Sequence, residues 1–554
     1  MDKTKIYGIR FDETVPRGGE KRILDAEQLM NDYVVGNTFM RNGGRNDFDD
    51  AYPFGAMRLC CVTFQNDKRR VLYENEPGFA RDGSAGNVMV EIPLFYVKRE
   101  KEGPIETWCV SGTAHPAFVP DPVFRVGEKL LDKVYVGAYN NGSHIDGREG
   151  RIKLNAKYTE KEQKLDKYGK RAGETEDGQM AAPPENFILS AYEKERNELK
   201  ASADPVIAAA AALPAGVFSF SGVMPEVNKT IAEYENEAAA VGFTTYDVTV
   251  FQCLQRLMVI EFGTRYLKAE LGGLSHFSYF SHLNRFNTIV EVGPNSVTVP
   301  VRQRMLMLSP GHEIGFGHVE RDLSLHRTVK KVTRRAGTPL LCDIEYEGED
   351  LQHVLHPGED ACYGIPQKLG LTDSLPYHTG RTAFSGSYYK DNDYLMNAFK
   401  YRGIENVWGN VWEYLSGLRI RRLQYYYTLE PDAYQAPTDN WIKTPFLAPE
   451  QHFLASNANP LWISRLGLDP ENPALIFPSY LQKDAAMGSF YDSVFYAYKD
   501  FNYENKPIDP DSEYVFAVGG GHDHSEFGSL FTYRGFLRAN SFHWLYGERI
   551  CLRK

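Results

Sequence analysis

The sequence predicts an α+β protein, in which a β-rich leading region precedes a larger unit built around one long helix and interrupted by a small inserted β-domain. Three observations carry this expectation. Residues 6–98 alternate short apolar runs with Gly, Asn, Asp and Pro turn signals, the pattern of hairpins. Residues 244–271 carry one strong helical period. Residues 288–346 return to β-branched alternation broken by Gly and Pro.

In chain order, YGIRF, MRLCCVTF, VLYENEPG and VMVEIPLFYVK read as strands separated by NGGRNDFDDAYPFG, NDKRR and ARDGSAGN. KVYVGAYN, from Lys133 to Asn140, reads as a further strand. The stretch KYTEKEQKLDKYGKRAGETEDGQMAAPPEN and the Ala-rich PVIAAAAALPAG have another composition altogether, expected of a surface insertion or linker. TTYDVTVFQCLQRLMVIEFGTRYLKAEL then brings Thr and Asp caps, with Val248, Phe251, Leu254, Met258, Phe262 and Tyr266 on one expected buried face. After Tyr363 the chain looks loop-rich, with much Gly, Asn, Tyr and Trp and little periodicity. The expected division is therefore 1–100, 101–287 with its insertion near 150–215, 288–346, and 347–554.

Composition excludes several functions. The 554-residue chain has 73 acidic and 62 basic residues, net −11, and no long basic block, so it lacks the electrostatic footprint of a nucleic-acid binder. The start, MDKTKIYGIRFDETVPRGGEKR, has no apolar h-region, and no run of about 18 apolar residues occurs. Neither a signal peptide nor membrane insertion is expected, and synthesis in a cytoplasm is. Seven cysteines with no CxxC spacing suggest reduced, mostly buried thiols. Aromatics reach 13%, with 34 Tyr and 32 Phe, which suits a recognition surface as well as a core.

The run GIENVWGNVWEYLSGLRI, from Gly403, has no clear period, yet Val407, Trp408, Val411 and Trp412 call for burial. Asn406, Asn410 and Glu413 could satisfy the backbone of a compact core loop. GNVWEYLSG resembles the GNVWEW signature of C-type-lectin-like domains in formylglycine-generating enzymes, with Tyr414 in place of the second Trp. Trp408, Asn410, Trp412 and Glu413 are the structural core of that motif. NDFDDAYPFGAMRLCCV, GNVMVEIPLFYVK, HPAFVPD, DKVYVGAY, SGVMPEVNKTIAEYENEAAAVGF, LQRLMVIEFGTR and YRGIENVWGNVWEYLSG, in that order, resemble segments of phage tail and minor structural proteins. The 150–215 insertion departs from the pattern.

The resemblance implies a C-terminal lectin-like part, closed by a strand at GERICLRK, in which Glu548 replaces the Phe of the usual form. It further implies likeness to the variable proteins of diversity-generating retroelements, whose C-terminal segment displays ligand-binding residues. The expected contacts in Gly519 to Tyr546 are Tyr533, Asn540, Ser541, His543 and Tyr546, with His522, Asp523 and His524 on the adjoining loop. Residues of both kinds interleave there, so that about half would be exposed, as on a paratope.

Chemistry fits poorly. A formylglycine-generating oxidase needs a reactive cysteine pair in this segment, where only Cys551 stands. His312, His318 and His326 have the spacing of a turn between strands, and HDH lacks a third metal ligand. Calcium at Glu405, Asn410 and Glu413 gives way to backbone hydrogen bonding. No P-loop, GxSxG or dinucleotide fingerprint occurs. No catalytic residue, metal or cofactor is expected. The expected function is that of a virion tail protein that binds a host-surface receptor, protein or glycan, beside other tail proteins and as a trimer. A structural decoration protein and a formylglycine-generating-type enzyme are the alternatives.

Overall fold

The computed structural model describes residues 1–15, 19–65, 68–142, 200–201, 212–213, 216–227, 229–275, 288–300, 308, 310–317, 326–335, 341–383, 397–448, 461–482, 494–496, 513–522, 528–541 and 545–554. Most of the insertion near 150–215 lies outside them, as do Asp523, His524, His543 and His318. Among the described residues, strands outnumber helices heavily, and only three α-helices occur: α1 (Ile231–Ala240), α2 (Val248–Phe262) and α3 (Lys268–Leu271). The protein is β-rich, which corrects the α+β expectation.

The error has a physical source in the last third of the chain. Strands Trp412–Arg421 and Tyr514–Val518 are buried almost without a break along their length. A strand covered on both faces has no reason to alternate apolar with polar residues, so its period cannot be seen. The supposed loop-rich region is in fact a nine-stranded sheet, running Ile442–Leu447, Gln424–Tyr427, Trp412–Arg421, Tyr514–Val518, Tyr533–Leu537, Val494–Tyr496, Leu461–Gly467, Phe477–Gln482, with Tyr546–Gly547 beside Trp412–Arg421. Within the expected core loop at 403–420, Ile404–Glu405 and Trp412–Arg421 are strands, and only the residues between them form a loop.

A second sheet brings distant parts of the chain together. Its order is Thr244–Thr245, Ile550–Leu552, Lys133–Gly137, Asn87–Pro93, Arg58–Gln65, Lys68–Tyr73. The strand Ile550–Leu552 pairs antiparallel with both of its neighbours, Tyr135 opposite Leu552 and Thr244 opposite Cys551. A third sheet joins Ile6–Asp12 to Lys21–Leu24 and Ile105–Ser111. Residues 1–100 have no core of their own: Ile9, Phe48 and Val90 belong to the same hydrophobic cluster as Trp412 and Phe516. The segment from Glu291 to Tyr346 folds into a sheet that takes its sixth strand from Ala361–Gly364, over a separate core that includes Val299, Phe316 and Ile344.

Helix α2 sits at the centre. Asp247 caps it through Thr249 and Val250 N–H groups, and Gly263 ends it at φ 68, the left-handed stop that glycine adopts without strain. Tyr266 therefore falls beyond the helix. All fifteen residues of α2 are buried, because it packs against the large sheet on one side and strands Ile6–Asp12 and Ile105–Ser111 on another. The polar residues of the helix are buried as well, and most of their polar atoms find partners inside the protein. Gln252 Nε2 donates to Ile476 O, Gln255 Nε2 to Leu530 O at 3.0 Å, and the Arg256 guanidinium pairs with Asp121.

Helix α1 carries a buried acid. A capping box of Thr230 and Glu233 starts the helix, and its Glu235 accepts a bond from Ser416 Oγ at 2.7 Å. Burial pushes the Glu235 carboxyl up to about 7. The folded protein therefore holds a proton that the unfolded chain releases near pH 4.5. Stability from this group is complete below that pH and falls as pH rises to about 7, by about 3 kcal/mol in all. Glu235→Gln should remove this part of the slope, so that the gap between wild-type and variant urea midpoints changes from pH 4.5 to 8. A constant gap would contradict it.

Candidate functional site

The C-terminal segment is built on the loop from Gly403 to Val411 and the strand that follows. Asn406 and Asn410 have φ 46 and φ 65, a region that asparagine tolerates. The Asn410 side chain pairs with one residue's backbone as a neighbouring strand would: its Oδ1 accepts from Gln367 N at 2.6 Å and its Nδ2 donates to Gln367 O at 3.0 Å. Trp408 donates its indole N–H to Gly272 O at 2.7 Å and lies 4.0 Å from the Phe399 ring.

Glu413 differs from expectation, since it serves side chains and not the loop's backbone. Its Oε1 accepts from Asn140 Nδ2 at 2.6 Å and Arg549 Nη2 at 2.8 Å. Arg549 also donates to the carbonyls of Gly137, Glu405 and Asn406. The pair is buried, with side-chain exposures of 0% and 4%. Four residues further on, Arg553 pairs with Asp247 at the start of α2. The sequence reading missed both arginines. Glu413 and Asp247 stand in apolar runs, and a buried carboxylate requires a partner, so a search for basic residues within other apolar strands would have found Arg549 and Arg553 in RICLR.

Several expected contact residues prove to be core. Tyr533 is 1% exposed: its ring lies 5.6 Å from Phe251 of α2, edge to face, and its hydroxyl accepts from Gln255 at 3.2 Å. Tyr546, 6% exposed, pairs with Trp412 in parallel and accepts from Arg534 Nη1 at 2.7 Å. His522 is buried and ties its backbone N–H to Asn410 O at 3.0 Å. The interleaving of aromatic and polar residues misled because the polar partners, Gln255 and Arg534, are buried along with the rings. Asp523, His524 and His543 lie outside the described residues.

What does reach the surface is the turn Arg538 to Ser541. Arg538 and Ala539 are exposed, Asn540 and Ser541 half-buried. Ser541 N donates to Arg538 O at 2.8 Å, and Arg538 N donates to Ser541 Oγ at 3.0 Å. Tyr414, wholly buried, donates its hydroxyl to Ser541 O at 2.6 Å. The turn is closed on itself and fastened to the central strand. Such a fixed backbone lets the side chains at its tip change without cost to the fold.

The residues weighed for chemistry have structural partners. Cys551 is buried and burial pushes its thiol well up, the reverse of what a reactive thiolate needs. His326 Nδ1 lies 3.0 Å from Glu313 Oε2, and burial draws the His312 ring down to about 4. Glu405 accepts from the backbone of Gly370 and Thr372 at 2.8 and 2.9 Å. Among the described residues no three His, Cys, Asp or Glu side chains gather as metal ligands, and no helix is long and apolar enough to cross a membrane. No protein-family model matches the chain, and no curated protein matches it in sequence.

Proposed function

We propose that this chain is a binding protein and not a catalyst: a phage tail protein, mounted on the virion among other tail proteins, that contacts a host-surface receptor through its C-terminal part. The ordered resemblance of its segments to tail proteins supports the reading. The structural observation that carries it is the Arg538 to Ser541 turn, fixed to the core by Tyr414. Diversification of the C-terminal segment belongs to the same proposal, with the changeable positions confined to this turn and the segment around it, since Tyr533, Tyr546 and His522 hold the scaffold. A trimer is the form we propose, because several copies raise avidity by about 10²–10⁴. Sedimentation at micromolar protein reads that directly, and a lone monomer would count against it.

The receptor test uses Arg538→Ala with Asn540→Ala. A change at the exposed Arg538 shifts stability by no more than about 0.5 kcal/mol, the single Arg538→Ala variant controls for the half-buried Asn540, and loss of binding anchors costs about 2 kcal/mol or more. Unchanged melting with adsorption to host cells reduced at least about tenfold is the expected result. Unchanged melting with unchanged adsorption would favour a decoration role, in which the turn meets no receptor.

A further inference from the structure

Apart from the C-terminal turn, a cleft of about 570 Å³ opens between residues 57–59, residues 73–75 and Arg81 on one side and residues 375–378 and 400–403 on the other. This is the size of small-molecule sites. Four cations line it: Arg58, Arg81, Lys400 and Arg402. Three are matched by carboxylates, Arg58 with Glu91 at 2.7 Å, Arg81 with Asp373 at 3.2 Å and Arg402 with Glu261 at 2.7 Å. Lys400 has no ion pair among the described residues, although it is only 5% exposed. Its ammonium makes one bond, to Leu375 O at 3.3 Å.

The fold explains why Lys400 is there. It occupies the middle of strand Phe399–Tyr401, paired with Gly380 on one side and Glu405 on the other. Strand alternation sends Phe399 and Tyr401 to one face, where both join the main core, and Lys400 to the opposite face. Two acids line the cleft itself, and both are engaged: Glu74 pairs with Arg81, and Asp49 lies 3.0 Å from His378 Nε2 and 3.3 Å from Arg402. Two more lie nearby. Asp373 takes bonds from Arg81, Tyr139 and Ser221, and Glu405 takes the backbone of Gly370 and Thr372. An ammonium has three donors and loses much hydration on burial, and one long carbonyl bond compensates little of it. Burial first, and then the charge of Arg81, draws the Lys400 ammonium down to about 8.

We propose that this cleft binds a small organic oxyanion, a carboxylate or phosphate carried on a sugar-sized molecule, with its oxygens on the Lys400 ammonium and Arg58 at the mouth. An anion there supplies the acceptors that Lys400 lacks and offsets its repulsion by Arg81. Arg58 is suited to the mouth: its side chain is 53% exposed and its guanidinium is held 3.8 Å above the Tyr73 ring.

Calorimetric titration of the full chain with glucuronate, glucose 6-phosphate and neutral glucose tests this. At least one acid should bind and glucose should not. Glucuronate alone assigns a carboxylate ligand, glucose 6-phosphate alone a phosphate, and both together any oxyanion. Lys400→Met should weaken binding about tenfold or more, and Lys400→Arg should weaken it less, because it keeps the charge. Should Lys400→Met melt early, Arg58→Gln, at an exposed position, gives the second reading, with a several-fold loss expected. The proposal is overturned if neither acid binds at about 10 mM, if glucose binds as well as the acids, or if a folded Lys400→Met or Arg58→Gln keeps full affinity. No virion enters the assay, so its failure leaves the receptor reading untouched.

Discussion

Arg549→Met should destabilise the protein by about 3–5 kcal/mol, the cost of leaving a buried charge without its partner. The substitution keeps most of the side chain's volume, so the loss is electrostatic more than steric. The Glu413 carboxylate would keep its bond from Asn140 but lose its countercharge, and the carbonyls of Gly137, Glu405 and Asn406 would each lose a donor. The double variant Arg549→Met with Glu413→Gln should recover part of the loss, because the stranded charge is gone, and the cycle of four proteins isolates the pair's coupling. Denaturant midpoints measure it. A single variant within about 1 kcal/mol of wild type would mean that the pair is not buried as described.

Trp412→Ala should cost about 3–5 kcal/mol through the cavity it leaves. The residue is 0% exposed, its backbone N–H is bonded to Leu545 O at 2.8 Å, and the Arg534 guanidinium lies 4.9 Å from its ring. Loss of the ring exposes Arg534 to rearrangement and, through Tyr546, loosens the C-terminal strands. Trp412→Phe, which fills part of the volume, should fall between wild type and the alanine variant. Thermal melting equal to wild type in Trp412→Ala would contradict the placement.

Sequence reasoning reached those elements whose residues meet two environments. Helix α2 was legible from Val248, Phe251, Leu254 and Met258, and its start from Asp247. The leading strands were legible from their turns, as at Asn87–Pro93 after GSAGN. Burial of Val407, Trp408, Val411 and Trp412 was legible from their apolar side chains in a run without period. Where an element is covered all round, the pattern vanishes, so the burial of Gln252, Gln255, Arg256 and Glu261 left no sign in the helical period. For the same reason Trp412–Arg421 lost its strand character, and Tyr533 and Tyr546 were read as surface. Their partners, Phe251 and Arg534 among them, come from α2 and from a neighbouring strand. Phe251 and Tyr533 lie far beyond any common local window.

The strand Ile550–Leu552 sits inside a sheet whose other members were made long before it, and Arg549 reaches Gly137 across 412 residues of chain. Closing so large a loop costs entropy before any contact repays it, and folds dominated by such pairings form slowly. During synthesis the slot between Lys133–Gly137 and Thr244–Thr245 stays open, with apolar edges that invite misassembly until the last segment arrives. The same arrangement works in reverse once the slot is filled. Extracting this strand requires breaking the Arg549 and Arg553 ion pairs and two ladders together, an arrangement that should slow unfolding. Persistence of that kind is a property of the path out of the fold and not of the depth of the free-energy minimum.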